Sequence, residues 1–320
     1  MERYQGEALP WLIAGGINLD ILARPSAAFR FRDSNPGIIT ERPGGVGFNM
    51  ARNLTGIGSR VLFLTVLGDD RAGTVLAGRA AEAGVDLSAA IIKEGERSSR
   101  YLAVHDDEGD MAVAVNDMAL FDSLTADDVT SWTRLGSPEQ CCGAILDPNL
   151  PAPILASLAS SFTVPLFADA VSTAKMDRLT GILPRLHGLK VNRLEAGHLT
   201  GVRVASIADA VRAVRRIAGM GISRVCLSLG IDGALFSHGP DLVLARPGRI
   251  LHDGNATGAG DAMAAIFAWS ANRTGSLQEV ARYSVAAATL SVESDEAVNP
   301  SLSSELLSER AEEVIIEVIK

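Results

Sequence analysis

The sequence predicts an α/β protein: a doubly wound, mostly parallel sheet flanked by helices, forming one domain over residues 1–320 with a small β-strand lid inserted in it. Three observations predict it. Ala144-Ile145-Leu146-Asp147, Pro165-Leu166-Phe167-Ala168-Asp169, Leu189-Lys190-Val191 and Arg224-Val225-Cys226-Leu227-Ser228 are short apolar runs ending in polar or glycine residues. Helical periodicity follows each run, and strands that alternate with helices build a parallel sheet. Hydrophobic residues make up 47% of the 320 but aromatic ones only 5%, so small side chains pack the helices tightly onto the sheet.

From the N-terminus, Trp11-Leu12-Ile13-Ala14-Gly15-Gly16 reads as a buried strand ending in a glycine turn. Ile17 to Ile21 alternates and puts Asn18 and Asp20 on one face. Polar groups at the end of a central strand line a crevice, although a solvent-facing position is the plainer reading of Asp20. A turn-rich piece, Arg32-Asp33-Ser34-Asn35-Pro36-Gly37, lies among short strand-like segments. Pro43-Gly44-Gly45-Val46-Gly47-Phe48-Asn49 then opens a helix, Met50 to Gly56, and a strand, Val61 to Leu67. Gly68-Asp69-Asp70 caps a helix ending near Gly84, with an edge-like strand near Ala90-Ile91-Ile92. Ser98 to Asp106 and Met111 to Val115 alternate like a hairpin, closed by Asn116-Asp117-Met118. The lid is expected in two pieces, 22–43 and 97–119. An amphipathic helix is expected over Ser304 to Lys320, with Leu307, Ala311, Val314, Ile315 and Val318 on one face.

Composition narrows the function. The net charge of −9 argues against a nucleic-acid binder, which carries a basic patch, but a backbone cradle can still hold a nucleotide. Cys141, Cys142 and Cys226 have neither metal-site nor disulfide spacing and read as core residues in a reducing compartment. The N-terminus lacks the basic and apolar regions of a signal peptide. No apolar run approaches the roughly 18 residues of a membrane span. These observations lead to a cytoplasmic protein with no membrane partner.

The chain is organised around Gly254-Asn255-Ala256-Thr257-Gly258-Ala259-Gly260-Asp261-Ala262-Met263. A glycine loop that opens a small, apolar helix leaves backbone N–H groups converging on one spot, which favours an anion such as a phosphoryl group. A carboxylate there repels the ligand unless it has work to do; Asp261 is placed to hold and deprotonate an attacking hydroxyl. The plainer reading has Asp261 capping a core helix. No Lys-Ser or Lys-Thr follows, so this is not a P-loop, and no third glycine completes a dinucleotide fingerprint. Asn192 and Glu195 lie three apart at a helix start, where they could position a hydrated Mg²⁺ or form a capping box. Ser228-Leu229-Gly230-Ile231-Asp232-Gly233 is a third glycine loop after a strand.

Taken in order, Asn18-x-Asp20, Gly44-Gly45-x-Gly47-x-Asn49, Asn192-x-x-Glu195, Ser228-x-Gly230-x-x-Gly233 and Thr257-Gly258-Ala259-Gly260-Asp261 resemble the ribokinase-like, phosphofructokinase B-type family of carbohydrate kinases. Asp33 to Gly37, Asn116-Asp117-Met118, Asp169-Ala170-Val171-Ser172 with Lys175, and Asn192 to Ala196 bring the chain nearest to that family's pseudouridine-kinase subgroup. The resemblance implies the ribokinase-like fold and an ATP-dependent phosphorylation of the 5′-hydroxyl of pseudouridine, with ATP and Mg²⁺ required. It implies Asp261 as catalytic base and Gly258, Ala259 and Gly260 as the anion hole. Asp20, Gly44, Gly45 and Asn49 would hold ribose hydroxyls, with Asn149 near the same pocket. Ser34, Asn35, Asn116 and Asp117 fall in the proposed lid and would meet the base. Asn192, Ser228, Gly230, Gly233 and Thr257 would serve ATP, and Glu195 the metal region. Asn255 replaces the family's usual Asp, which in relatives helps hold a monovalent cation, and this puts potassium activation in question. The open strand edges of the lid are where a second copy would pair. The rival readings are another sugar or nucleoside kinase of this fold and a non-catalytic nucleoside-binding protein.

Overall fold

In a computed structural model of the chain, residues 9–108, 110–249 and 257–319 are described. Strand β1 (Trp11–Ala14) is followed by β2 (Asn18–Pro25), β3 (Gly37–Gly44) and helix α1 (Val46–Gly56). Next come β4 (Val61–Leu64), β5 (Val66–Gly68), α2 (Arg71–Glu82), β6 (Ile91–Lys93), β7 (Arg100–His105) and β8 (Met111–Asp117). The short α3 (Ala119–Asp122) leads to β9 (Gly143–Leu146), α4 (Ala152–Ser161), β10 (Leu166–Asp169) and α5 (Thr173–Met176). Then follow β11 (Gly188–Asn192), α6 (Arg193–Thr200), α7 (Ile207–Ala218), β12 (Arg224–Ser228), β13 (Ala234–His238) and β14 (Asp241–Arg246). The chain closes with α8 (Ala259–Arg273), α9 (Leu277–Val292), α10 (Ser304–Glu312) and β15 (Ile315–Ile319).

The main sheet has nine strands in the order β15-β14-β13-β12-β11-β10-β9-β1-β4. From β4 to β12 all neighbours are parallel; β13, β14 and β15 add an antiparallel edge. The strand residues alternate between two cores, Leu12 and Ala14 to one face, Trp11 and Ile13 to the other, which is why these runs are apolar throughout. Local signals set the helix starts. Asp70 accepts from Gly73 N at 2.8 Å at the head of α2, and Ser206 and Asp209 form a capping box on α7. Cys141 and Cys226 are buried and Cys142 partly so, all three free; burial pushes the Cys141 thiol up to about 12, so it stays protonated.

Three expectations for the sequence outside the insert change. The C-terminal helix stops at Glu312, and Ile315–Ile319 is a strand paired with β14. The β-branched run Val314-Ile315-Ile316 fits a pleated edge better than a helix. The stretch Val61 to Leu67 is broken at Thr65, with β4 in the main sheet and β5 in a two-stranded sheet with β6. Finally, β12 is followed by an antiparallel hairpin rather than a helix, turned at Gly233, whose φ of 91° and close approach to Ala245 O exclude a side chain.

A separate four-stranded sheet has the order β3-β2-β7-β8. It is the strand-rich insert, and it begins at Asn18, earlier than expected, because β1 and β2 are separated only by the Gly15-Gly16-Ile17 turn. Register sets its faces. Arg42, Asp20, Tyr101 and Asn116 form one row across it, with Asn18 and Gly44 one step along the same face. Leu19, Arg100 and Asp117 form a row on the opposite face, together with the exposed Ile39, Leu102, Val113 and Val115.

Candidate active site

The carboxyl ends of the parallel strands carry the polar residues. Ala14 of β1, Leu146 of β9 and Leu64 of β4 align, and the chain turns at Gly15 and Gly16 beyond β1 and at Asp147 beyond β9. Asp147 is fully buried. Its Oδ2 accepts from Gly16 N at 2.8 Å and Gly47 N at 3.1 Å, and its Oδ1 accepts from Asn149 N and Nδ2 at 2.8 and 2.9 Å. Burial raises its pKa, and these hydrogen bonds oppose the rise. One carboxylate thus fastens the first glycine turn, the head of α1 and Asn149.

Gly45, at φ 104°, caps α1, and a Cβ there would meet Gly16 O at 2.6 Å and Asn18 Oδ1 at 2.9 Å. At Gly44 a Cβ would come within 2.2 Å of Asp20 Oδ2. These two glycines therefore let the second sheet lie against the crevice. Asn18 Nδ2 donates to Asp20 Oδ1, and burial, opposed by that bond, pushes Asp20 up to about 6. Asn49 follows one turn into α1. Its Nδ2 donates to Asp261 Oδ2 at 2.8 Å, while its buried Oδ1 has no partner among the described residues. That orphan acceptor suits a ligand hydroxyl, because an unpaired buried acceptor is costly.

Helix α8 starts at Gly258, which at φ 82° has no side-chain cap and lies so close to Ala297 O that a Cβ would stand 1.9 Å from it. Ala262 N closes the first helical bond on Gly258 O at 2.9 Å, so the N–H groups of Ala259, Gly260 and Asp261 have no partner within the helix. The helix N-terminus is the positive end of its dipole. Asp261 sits in this first turn and is partly buried. Burial, and then Asp169 nearby, push its carboxyl up to about 7 against the opposing Asn49 bond and Lys190 charge. Thr257 is exposed beside the turn; Asn255 lies outside the described residues.

Asn192 and Ser228 end adjacent strands in register. The Asn192/Glu195 pair is a capping box: Glu195 accepts from Asn192 N and Nδ2, both at 2.7 Å, and Asn192 Oδ1 accepts from Glu195 N. Glu195 is 1% exposed, and among the described residues no group of three His, Cys, Asp or Glu is arranged to hold a metal. The pair fits Mg²⁺ only as a hydrated ion met through water, since each carboxylate oxygen already accepts one donor. Ser228 Oγ donates to Val191 O at 3.4 Å. Gly230 and Gly233, both with positive φ, form the tight turn after β12.

The insert residues divide. Asn116 shares the face of Asp20. Asp117 points to the other face and pairs with Arg97 at 3.7 Å. Asn35 is spent on its own loop, accepting from Arg30 N at 2.8 Å and donating to Arg30 O and Asp33 O. Ser34, exposed, donates its N–H to Asp33.

Sequence reasoning assigned no role to Asp147, Asp169 or Lys190. Lys190, 6% exposed, pairs with Asp169 at 3.0 Å. Val171, at φ 64°, donates its N–H to Asp169 Oδ1 at 3.0 Å. A β-branched residue in that region is strained, and the turn holds Asp169 in place. One signal could have found both aspartates: β9 and β10 each run straight into an Asp at the strand's carboxyl end.

The chain matches the pfkB family carbohydrate kinase pattern over residues 22–304 and belongs to that family, whose members are phosphotransferases acting on alcohol groups. It is 33% identical over 256 residues to the pseudouridine kinase of Escherichia coli, covering 79% of this chain and 81% of that one. It is 31% identical over 300 residues to the uncharacterized sugar kinase YeiI of the same organism, 92% of this chain and 81% of that one. Its fold is ribokinase-like: Arabidopsis thaliana ribokinase, solved with ribose and ATP, superposes with a TM-score of 0.82 over 95% of this chain and 99% of that one, at 21% identity. Among the described residues no helix is long and apolar enough to cross a membrane.

Proposed function

We propose that the protein transfers the γ-phosphoryl group of ATP to the 5′-hydroxyl of pseudouridine. One observation carries the reading: a carboxylate, Asp261, held by Asn49 in the first turn of α8, among N–H groups that have no partner within the helix. Phosphoryl transfer asks for alignment and charge stabilisation more than covalent work. Asp261 takes the hydroxyl proton as the new O–P bond forms and the bond to ADP breaks. The N–H groups of Ala259, Gly260 and Asp261 meet the charge on the phosphoryl oxygens. Asp20 and Asn49 hold the ribose hydroxyls, with Gly44 and Gly45 leaving room and Asn149 beside them. Asn192, Ser228, Thr257, Gly230 and Gly233 line the nucleotide side, where Glu195 and Asn192 would meet a hydrated Mg²⁺. When bound, that ion neutralises phosphate charge.

The likeness to a pseudouridine kinase supports the choice of nucleoside. Pseudouridine has a free N1–H that uridine lacks, so a selective site offers an acceptor at that edge. Asn116, on the Asp20 face of the second sheet, is the residue we assign to it; that sheet acts as the lid. Its exposed opposite face, Ile39, Leu102, Val113 and Val115, is where a homodimer would form, which sedimentation would read.

The test is ADP release across pseudouridine, uridine, ribose and a hexose phosphate. We expect kcat/KM for pseudouridine to exceed the others by at least about tenfold, about 1.4 kcal/mol of transition-state binding. Equal or better turnover of another acceptor would overturn the substrate and leave the kinase in place.

A further inference from the structure

Lys190 stands among carboxylates from three of the elements around it, with Cys226 of β12 beside it in register. Asp169 of β10 lies at 3.0 and 3.2 Å. Glu195 of α6 and Asp261 of α8 also act on its charge, and Asp147 beyond β9 adds to the negative field at Asp261. Asn49 of α1 is the neutral neighbour on that side. Burial alone would lower the Lys190 pKa, but these carboxylates outweigh it and keep the ammonium charged.

Its position goes further than an ion pair requires. An ammonium has three donors, and among the described residues the side-chain hydrogen bonds of Lys190 Nζ go to Asp169 alone. A Cβ built on Gly260 would lie 2.9 Å from Lys190 Nζ, so the charge sits directly beneath the second residue of α8. Gly260 does not have a positive φ; nothing in its backbone conformation asks for glycine.

We propose that Lys190 is the side-chain cation of the anion hole, reaching the transferred phosphoryl oxygens from beneath Gly260, and that residue 260 is glycine to leave this approach open. The inference rests on the kinase reading above. A fixed cation in a water-poor site stabilises the charge spread over those oxygens, and Asp169, clamped by the Val171 N–H, fixes its position.

The test uses two readouts, kcat with the best acceptor of the wild-type enzyme and calorimetric binding of inorganic tripolyphosphate. Lys190→Met should lower kcat by about 10²–10³ and weaken tripolyphosphate binding at least about tenfold, with Lys190→Arg restoring part of both. Gly260→Ala should lower kcat similarly and cost little more when added to Lys190→Met, because both remove one contact. Lys190→Met leaves the buried Asp169 without its cation, so the pair Lys190→Met/Asp169→Leu is the control: it should regain thermal stability and stay slow. Full kcat in that pair, or unchanged tripolyphosphate affinity in Lys190→Met, overturns the inference. Tripolyphosphate binding that depends on Lys190 in a protein that phosphorylates no acceptor would instead overturn the kinase reading and leave the anion site standing.

Discussion

Replacing Asp261 by Asn should separate chemistry from stability. The folded protein raises this carboxyl from 3.8 to about 7, chiefly by burial. The sign follows directly. The native state holds the proton over a range where the unfolded chain has lost it, so the stabilising contribution is complete below about pH 4 and is lost as pH rises through 7. Three pH units at about 1.4 kcal/mol each set an upper limit of about 4 kcal/mol. Asp261 keeps some solvent contact, so we expect a cost of about 2–4 kcal/mol at pH 8. Asn does not titrate. In urea unfolding the variant should therefore gain on the wild type between pH 5 and pH 8, yet its kcat should be about 10²–10⁴ lower. Wild-type kcat should fall below about pH 7, approaching a tenfold loss per unit. Near-normal turnover in the Asn variant, or a flat wild-type profile from pH 5.5 to 8.5 at constant ionic strength, would refute Asp261 as the base.

Three further outcomes follow from the same geometry. Asn49→Ala removes the hydrogen bond that lowers the Asp261 pKa, so kcat should drop about tenfold and its acid limb move to higher pH, read in a pH–rate profile. Glu195→Gln should raise the Mg²⁺ concentration for half-maximal rate; an unchanged titration with a lowered melting temperature would leave Glu195 its capping role alone. Gly258→Ala puts a side chain at φ 82° and against Ala297 O, and should cost at least about 1 kcal/mol of stability with a loss of turnover, measured by thermal denaturation alongside the assay.

The sequence by itself determined the parallel sheet, because strands buried on both faces are apolar along their length, and the runs 143–146 and 166–168 show this without any partner in view. It also determined the helix opened by Gly258-Ala259-Gly260-Asp261, since glycine conformations and first-turn N–H groups are properties of the local chain. Ile315–Ile319 was not legible: Ile315 and Val318 continue the helical apolar face of Leu307, Ala311 and Val314, and pairing with β14 makes the segment a strand. The division between Asn116 and Asp117 was likewise set by register, which fixes which face each neighbour takes. The spacing Asn192-x-x-Glu195 is the same for a cap and a metal shell, and the observed hydrogen bonds are those of the cap. Lys190 and Asp169 read as strand residues, yet they meet Asp261 from elements distant in sequence. Desolvation and Coulomb forces depend on distance in space, so only the tertiary structure could raise one carboxyl to about 7 and set a buried ammonium beneath Gly260.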